Sequence, residues 1–218
     1  MSPLDEMPRF RLVESLSWDD RLRRVDRHLG RMGRSAARFG RRFDEDEARR
    51  RLSEVAAGLP AGTLRKVRLT LGPEGELEAE AVEIDPLPDP VPVLLTDVRV
   101  DPEDELLYHK TDRRELYAGT RRRARERGFR EVLFRNTRGE VTEGSFTNLF
   151  LHSGGVWRTP PVASGLLPGV FRQALLERLD GAREEVLRPG DVAGAESVWL
   201  SNSVRGLMRA TVTIDDDV

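Results

Sequence analysis

Residues 131–159 read EVLFRNTRGEVTEGSFTNLFLHSGGVWRT, three short apolar runs separated by Thr137-Arg-Gly139 and by Gly154-Gly155. Runs of β-formers punctuated by glycine in this way predict an antiparallel or mixed sheet. Inside the middle run stands one carboxylate, Glu143. A carboxylate among apolar strand residues is costly unless a cation or hydrogen-bond donors meet it. Glu143 is therefore either an edge-strand surface residue or a group with a function.

The neighbouring segments extend this pattern in both directions. Upstream, Val93 to Val98 reads as a strand, Asp101 to Glu105 as an acidic turn, and Asp112 can cap a helix carrying Leu116, Tyr117 and Ala124 that stops at Gly128. The arginine-rich face of that helix reads as solvated surface. Downstream, SGLLPGVFRQALLERL contains a helix with Pro168 near its first turn, followed by a strand SVWLSN and a last strand from Leu207 to Ile214. Asp215 to Asp217 reads as a frayed acidic tail.

The first 85 residues form a separate α+β segment. Phe10 to Leu16 is a strand candidate, and Ser17 or Asp19 can cap a helix with Leu22, Val25, Leu29 and Met32 on one face. A second helix is expected from an Asp44 cap to Ala57, then a hairpin of Leu64–Leu71 and Leu77–Ile84 across Gly-Pro-Glu-Gly. Prolines at 86, 88, 90 and 92 make DPLPDPVPV a stiff connector. The expected domains are thus 1–85, a linker over 86–92, and 93–218.

Composition bounds the function classes. The chain has 218 residues, 38% hydrophobic and 34% charged, and no stretch near 18 consecutive apolar residues, which excludes a transmembrane helix. A net charge of -2 gives no electrostatic footprint for nucleic acid. With no cysteine and three scattered histidines, there is no disulfide, no thiolate nucleophile and no basis for a metal site. The opening MSPLDEMPRF has an acidic start and no apolar core, so a leader is not expected and a cytoplasmic location is. Of the 36 cationic residues, only Lys66 and Lys110 are lysine. Arginine replaces lysine in solvation and ion pairing but is no amine nucleophile. Each lysine is thus a candidate for lysine-specific chemistry. Lys110 ends the apolar segment Leu106-Leu-Tyr-His, where partial desolvation would lower an amine's pKa as a Schiff-base lysine requires. Lys66 has no motif around it and reads as structural or leftover.

Four motifs in order then resemble one family, the class IV pyridoxal-phosphate enzymes, which include branched-chain and D-amino-acid aminotransferases and aminodeoxychorismate lyase. They are Lys110; Glu143-Gly-Ser-Phe-Thr-Asn148-Leu-Phe, 33 residues on; Gly165-Leu-Leu-Pro-Gly169-Val-Phe-Arg172; and Leu200-Ser-Asn-Ser203-Val-Arg-Gly206. His28 to Ala36, HLGRMGRSA, is similar to the family's H-x-x-R-L-x-x-S-A helix, so the resemblance spans about residues 10 to 210. It implies an α+β, two-domain fold of the D-amino-acid aminotransferase type with pyridoxal 5'-phosphate in the interdomain cleft, and a homodimer. It further implies that Lys110 attaches the cofactor and shuttles the α-proton, and that Glu143 pairs with the pyridine nitrogen. Arg31 would bind the phosphate with the backbone at Leu167, Gly169, Val170 and Phe171, and with Asn202 and Ser203.

Three departures bear on the substrate. The position five after the lysine, a tyrosine in aminotransferases of the family, is Glu115, with Tyr117 two further on; Phe171 stands where many relatives have threonine; and the N-terminal strands are shortened to Phe10–Leu16. The segment LLYHKTDRRELY and the SNSVRG turn resemble instead the lyase domain fused to some aminodeoxychorismate synthases. The expected activity is therefore conversion of 4-amino-4-deoxychorismate to 4-aminobenzoate and pyruvate, with Arg114 and Arg205 as partners for substrate carboxylates. An aminotransferase acting on D- or branched-chain amino acids is the alternative. A non-catalytic relative is the third reading, against which the retention of Lys110 and Glu143 argues.

Overall fold

A computed structural model describes residues 10–215. The opening nine residues, which the leader reading concerns, and residues 216–218 of the acidic tail lie outside the described part. The described residues fold as two units, one of residues 10–85 with 109–113 and one of residues 86–108 with 114–215.

In the first unit β1 (Leu12–Trp18), α1 (Val25–Arg38), α2 (Glu45–Ala57), β2 (Arg65–Leu71) and β3 (Leu77–Val82) follow in order, and the strands form an antiparallel sheet β1-β2-β3. Leu12, Leu16 and Trp18 share a face with Val67, Leu69 and Leu71 and are buried there. α1 packs on β1, and α2 packs on β2 and β3. Asp44 caps α2 as expected, its Oδ1 accepting from Glu47 N at 3.0 Å. α1 starts differently. A bridge between Trp18 and Leu22 turns the chain first, and Arg24, left-handed at φ 56°, opens the helix without a side-chain cap. Asp19 takes the Arg23 guanidinium instead (2.6 and 2.7 Å), and Ser17 lies within β1. Gly75, at φ 95°, supplies the left-handed residue that the β2–β3 turn needs.

Residues 109–113 join this unit by pairing with the edge of β1. Val13 N donates to Lys110 O at 2.8 Å, Asp112 N donates to Arg11 O at 3.1 Å, and Leu12 bridges Thr111. Asp112, expected as a helix cap, accepts from Arg11 N at 2.9 Å. The expected division at the proline-rich segment is thus modified: five residues beyond it return to the first unit.

The second unit contains β4 (Val91–Val100), α3 (Glu115–Glu126), β5 (Glu131–Asn136), β6 (Val141–Gly144), β7 (Asn148–Ser153), β8 (Val156–Thr159), α4 (Val170–Arg178), β9 (Arg183–Glu184), α5 (Pro189–Ala193), β10 (Ser197–Asn202) and β11 (Gly206–Ile214). The sheet order is β10-β11-β4-β5-β6-β7-β8-β9, and β10 also pairs with β7, so six strands close into a ring. All six contribute to one apolar cluster, among them Val93, Leu95, Leu133, Val141, Leu149, Leu151, Val198, Leu200 and Ala210. A second cluster, with Leu94, Tyr117, Ala124, Val132 and Phe134, places α3 against β4 and β5.

Several sequence expectations change here. β4 begins inside the proline-rich stretch: Pro92 lies opposite Thr211 and offers its carbonyl to Arg130 N at 2.8 Å, a ladder role that needs no proline donor. α3 has Arg114, not Asp112, at its N-cap, and α4 starts after Pro168 because Gly169 is still extended. The run 141–152 splits into two strands around a tight turn. Asp215 is not frayed; it pairs with Arg127 at 2.9 and 3.2 Å. Among the described residues no helix is long and apolar enough to cross a membrane, and no group of three or more His, Asp or Glu is set to hold a metal ion.

Candidate active site

The first unit carries a buried charged cluster built on β1 and α1. Glu14, on β1, and His28 are each 1% exposed, and Arg31 is 6% exposed. Arg31 donates from Nε to Glu14 Oε1 at 2.8 Å and from Nη2 to Oε2 at 2.6 Å. His28 Nδ1 lies 2.6 Å from the same Oε2; since an ionised carboxylate only accepts, Nδ1 carries the proton. Burial would raise the Glu14 pKa, but Arg31 and His28 outweigh it and hold it at about 2. Burial lowers the His28 pKa against the pull of Glu14, and the charges of Arg31 and Lys110 lower it further. Lys110 belongs to this unit through β1. Next to it, His109 Nδ1 lies 2.8 Å from Ser35 Oγ, one turn of α1 beyond Arg31.

The second unit carries the carboxylate. Glu143, 3% exposed, lies on β6 opposite Asn148 of β7. Its Oε2 accepts from Asn148 Nδ2 and from Leu167 N, each at 3.2 Å, while Asn148 Nδ2 also donates to Leu167 O at 3.0 Å. Arg114 lies against the same group, with Nη2 3.9 Å from Glu143 Oε1 and 2.9 Å from Ser145 O, and with its guanidinium 4.1 Å over the Tyr117 ring. Burial, and then the Glu143 charge, raise the Tyr117 pKa.

α4 points its start at the same region of this unit. Its N-terminal backbone has no side-chain cap, and Gly169 admits no side chain, since a Cβ there would lie 2.0 Å from Asn148 Oδ1. Phe171 reaches the turn after β10, its Cζ being 4.0 Å from where a Cβ on Gly206 would stand. Within that turn Asn202 Oδ1 accepts from Val204 N at 3.0 Å and Arg205 N at 2.8 Å, with Ser203 between them. The second unit therefore brings Glu143, Leu167, Gly169, Val170, Phe171, Asn202, Ser203, Arg205 and Arg114 close together. Arg31 and Lys110 lie in the first.

Within the second unit, a fixed buried carboxylate able to accept from a ring N–H and an uncapped helix start able to hold an anion fit a phosphorylated pyridine; the first unit, taken by itself, carries an amine, Lys110, and a guanidinium, Arg31. Sequence reasoning gave no role to Glu14, His28, Asn148 or Glu131. The available signal was the carboxylate set between apolar residues, as in Leu-Val-Glu14-Ser-Leu and at the head of Glu131-Val-Leu-Phe.

The chain belongs to the class IV amino-transferase family, a family of pyridoxal-phosphate-dependent enzymes, whose family model matches residues 11–212. It is 27% identical to a Schizosaccharomyces pombe protein carrying the provisional name aminodeoxychorismate lyase, over 97% of this chain and 93% of the relative. A solved structure from Mesorhizobium loti, provisionally named an amino-acid aminotransferase, superposes with a TM-score of 0.86 at 37% identity, covering 94% of this chain and all of that one. A shorter match of 84 residues, 37% of this chain, is 33% identical to 27% of the Escherichia coli K12 branched-chain-amino-acid aminotransferase.

Proposed function

We propose that the chain binds pyridoxal 5'-phosphate and cleaves 4-amino-4-deoxychorismate to 4-aminobenzoate and pyruvate. The observation that carries the cofactor reading is the buried Glu143 carboxylate, fixed by Asn148 and Leu167 N beside the uncapped start of α4. When bound, the cofactor supplies an electron sink for the carbon that bears the substrate amine. Lys110 supplies the attaching amine and carries protons during turnover. Glu143 holds a proton on the ring nitrogen. Arg31, with the backbone N–H groups of Val170 and Phe171 and the Ser203 hydroxyl, binds the phosphate.

The choice of lyase rests on the His109-Lys-Thr segment with its arginine pair, on SNSVRG, and on the full-length likeness to the fission-yeast relative. Arg205 is the proposed partner of a substrate carboxylate. Arg114, engaged with Ser145 O and stacked on Tyr117, serves a carboxylate only if those contacts are exchanged. The aminotransferase alternative is supported by the local likeness to the branched-chain enzyme and by the Mesorhizobium structure. A homodimer is the proposed assembly. The deciding experiment supplies the cofactor-loaded protein with 4-amino-4-deoxychorismate and assays pyruvate. Pyruvate formation supports the lyase. Its absence, together with conversion of the cofactor to its amine form by an amino donor, moves the assignment to an aminotransferase.

A further inference from the structure

Glu131, the first residue of β5, is fully buried and belongs to none of the groups assigned above. Its Oε1 accepts from Ser145 N at 3.0 Å, Ser145 Oγ at 2.5 Å and Val132 N at 2.9 Å. Its Oε2 accepts from Phe146 N at 3.3 Å and Thr147 Oγ1 at 3.1 Å. Four of these five donors come from the tripeptide 145–147, the turn that links Glu143 and Gly144 of β6 to Asn148 of β7. The carbonyl side of the turn is held as well: Ser145 O accepts from Arg114, Phe146 O from Asn202 Nδ2 at 3.4 Å, and Thr147 O from Gly144 N at 2.7 Å. The Arg121 guanidinium covers the Phe146 ring at 4.4 Å. Gly144 has no space for a side chain, because a Cβ would lie 2.2 Å from Thr147 Oγ1 and 3.1 Å from Glu131 Cδ.

We propose that Glu131 is a positioning residue that sets Glu143 through this turn. Two buried carboxylates stand at the two sides of one tight loop, and they divide its donors. Glu131 takes Ser145 N and Oγ, Phe146 N and Thr147 Oγ1; Glu143 Oε2 takes Asn148 Nδ2 and Leu167 N. Without Glu131 the turn loses the acceptor for four donors, three of them on the buried residues Ser145 and Thr147, and it has to open or turn its donors elsewhere, Glu143 included. Either change moves Glu143 or lowers its proton affinity. Burial raises the Glu131 pKa, while the Ser145 hydroxyl, the backbone N–H groups of Val132 and Ser145 and the Arg121 charge oppose it.

The inference rests on the reading of Glu143 as the partner of a ring nitrogen, and its test separates the two. Hydrogen exchange on the cofactor-free protein reads the Ser145 and Phe146 amides; a titration with pyridoxal 5'-phosphate reads affinity and the pH dependence of the visible band. In Glu131→Ala the two amides are expected to exchange at least about tenfold faster, cofactor affinity to fall by roughly tenfold or more, and the pH profile of the band to shift. Glu131→Gln, which keeps one acceptor oxygen, is expected to recover part of each effect. Should Glu131→Ala not fold, the double variant Ser145→Ala with Thr147→Val removes both hydroxyl donors and is expected to shift the same readouts in the same direction. Unchanged amide exchange, or faster exchange with unaltered affinity and pH profile, overturns the positioning role. A wild-type protein that shows no band at all overturns the cofactor reading instead.

Discussion

Glu14 accepts from both Arg31 and His28 inside the first unit, so removing it takes from the buried guanidinium the carboxylate that it holds by both oxygens. Breaking a buried pair from one side costs about 3–5 kcal/mol. Glu14→Ala is expected to lower the unfolding free energy by that amount in urea denaturation, and Glu14→Gln by less, since the amide oxygen still accepts. Arg31→Lys is not a conservative change here, because a lysine offers no planar fork to the two Glu14 oxygens. In the second unit Gly169 is the sensitive position. A Cβ 2.0 Å from Asn148 Oδ1 must push aside a side chain pinned to both Glu143 and Leu167. Gly169→Ala is expected to keep the fold, judged by circular dichroism, and to weaken cofactor binding in a pyridoxal-phosphate titration. Unchanged binding would show that Asn148 does not need this place. At this scale the sequence named Lys110, Arg31 and Glu143 by motif. It gave Glu14 no role, because a carboxylate set between apolar strand residues is recognised as buried only once its partners on α1 are known.

Among the elements, the β5–β6 turn acts as a clamp on the segment that leads into α4. Glu140 accepts from Asn136 Nδ2 at 2.7 Å, Ser164 Oγ at 2.8 Å and Arg138 Nη2 at 3.0 Å, while Asn136 Nδ2 and Arg138 Nη2 donate to Ser164 O and Ala163 O. Arg138 first, with Asn136 and Ser164, outweighs burial and brings the Glu140 pKa down to about 2. A carboxylate lowered from its ordinary value of about 4.5 stabilises the fold above that pH and loses the contribution as pH falls toward 2. Glu140→Gln is therefore expected to lower stability at neutral pH and to flatten its decline between those two values, measured by chemical unfolding at each pH. Local signals decided which elements were legible. The α2 cap, Asp44, lies three residues from the N–H that it accepts, and the sequence shows it. The α1 start depends on a Trp18–Leu22 bridge, and β4 on a parallel pairing with β11 that turns a proline-rich connector into a strand. Neither can be read from neighbouring residues.

For the whole molecule, the groups with lowered pKa values share one sign. Glu14 and Glu140 are held at about 2, and His28 is lowered, so the unfolded chain binds more protons than the folded one in acid. The unfolding free energy is expected to begin falling as pH drops below about 6.5, where an unfolded histidine protonates, and to fall more steeply from about 4.5 toward 2. Glu131, raised by burial, acts in the opposite sense and offsets part of the loss. A stability that stayed level over this range would contradict the buried cluster. Chain topology was the least legible feature: Lys110 follows the proline-rich segment in sequence yet pairs with β1, nearly a hundred residues earlier. Local periodicity predicts elements, and a pairing over that distance leaves no local mark. The central claim is that Lys110, one of two lysines in a chain that writes its other cations as arginine, attaches pyridoxal phosphate, and the visible absorbance of the purified protein with added cofactor tests it most directly. A band in the wild type that is lost in Lys110→Ala, with far-UV circular dichroism unchanged, is the predicted result; no band in the wild type, or an undiminished band in the variant, would contradict it.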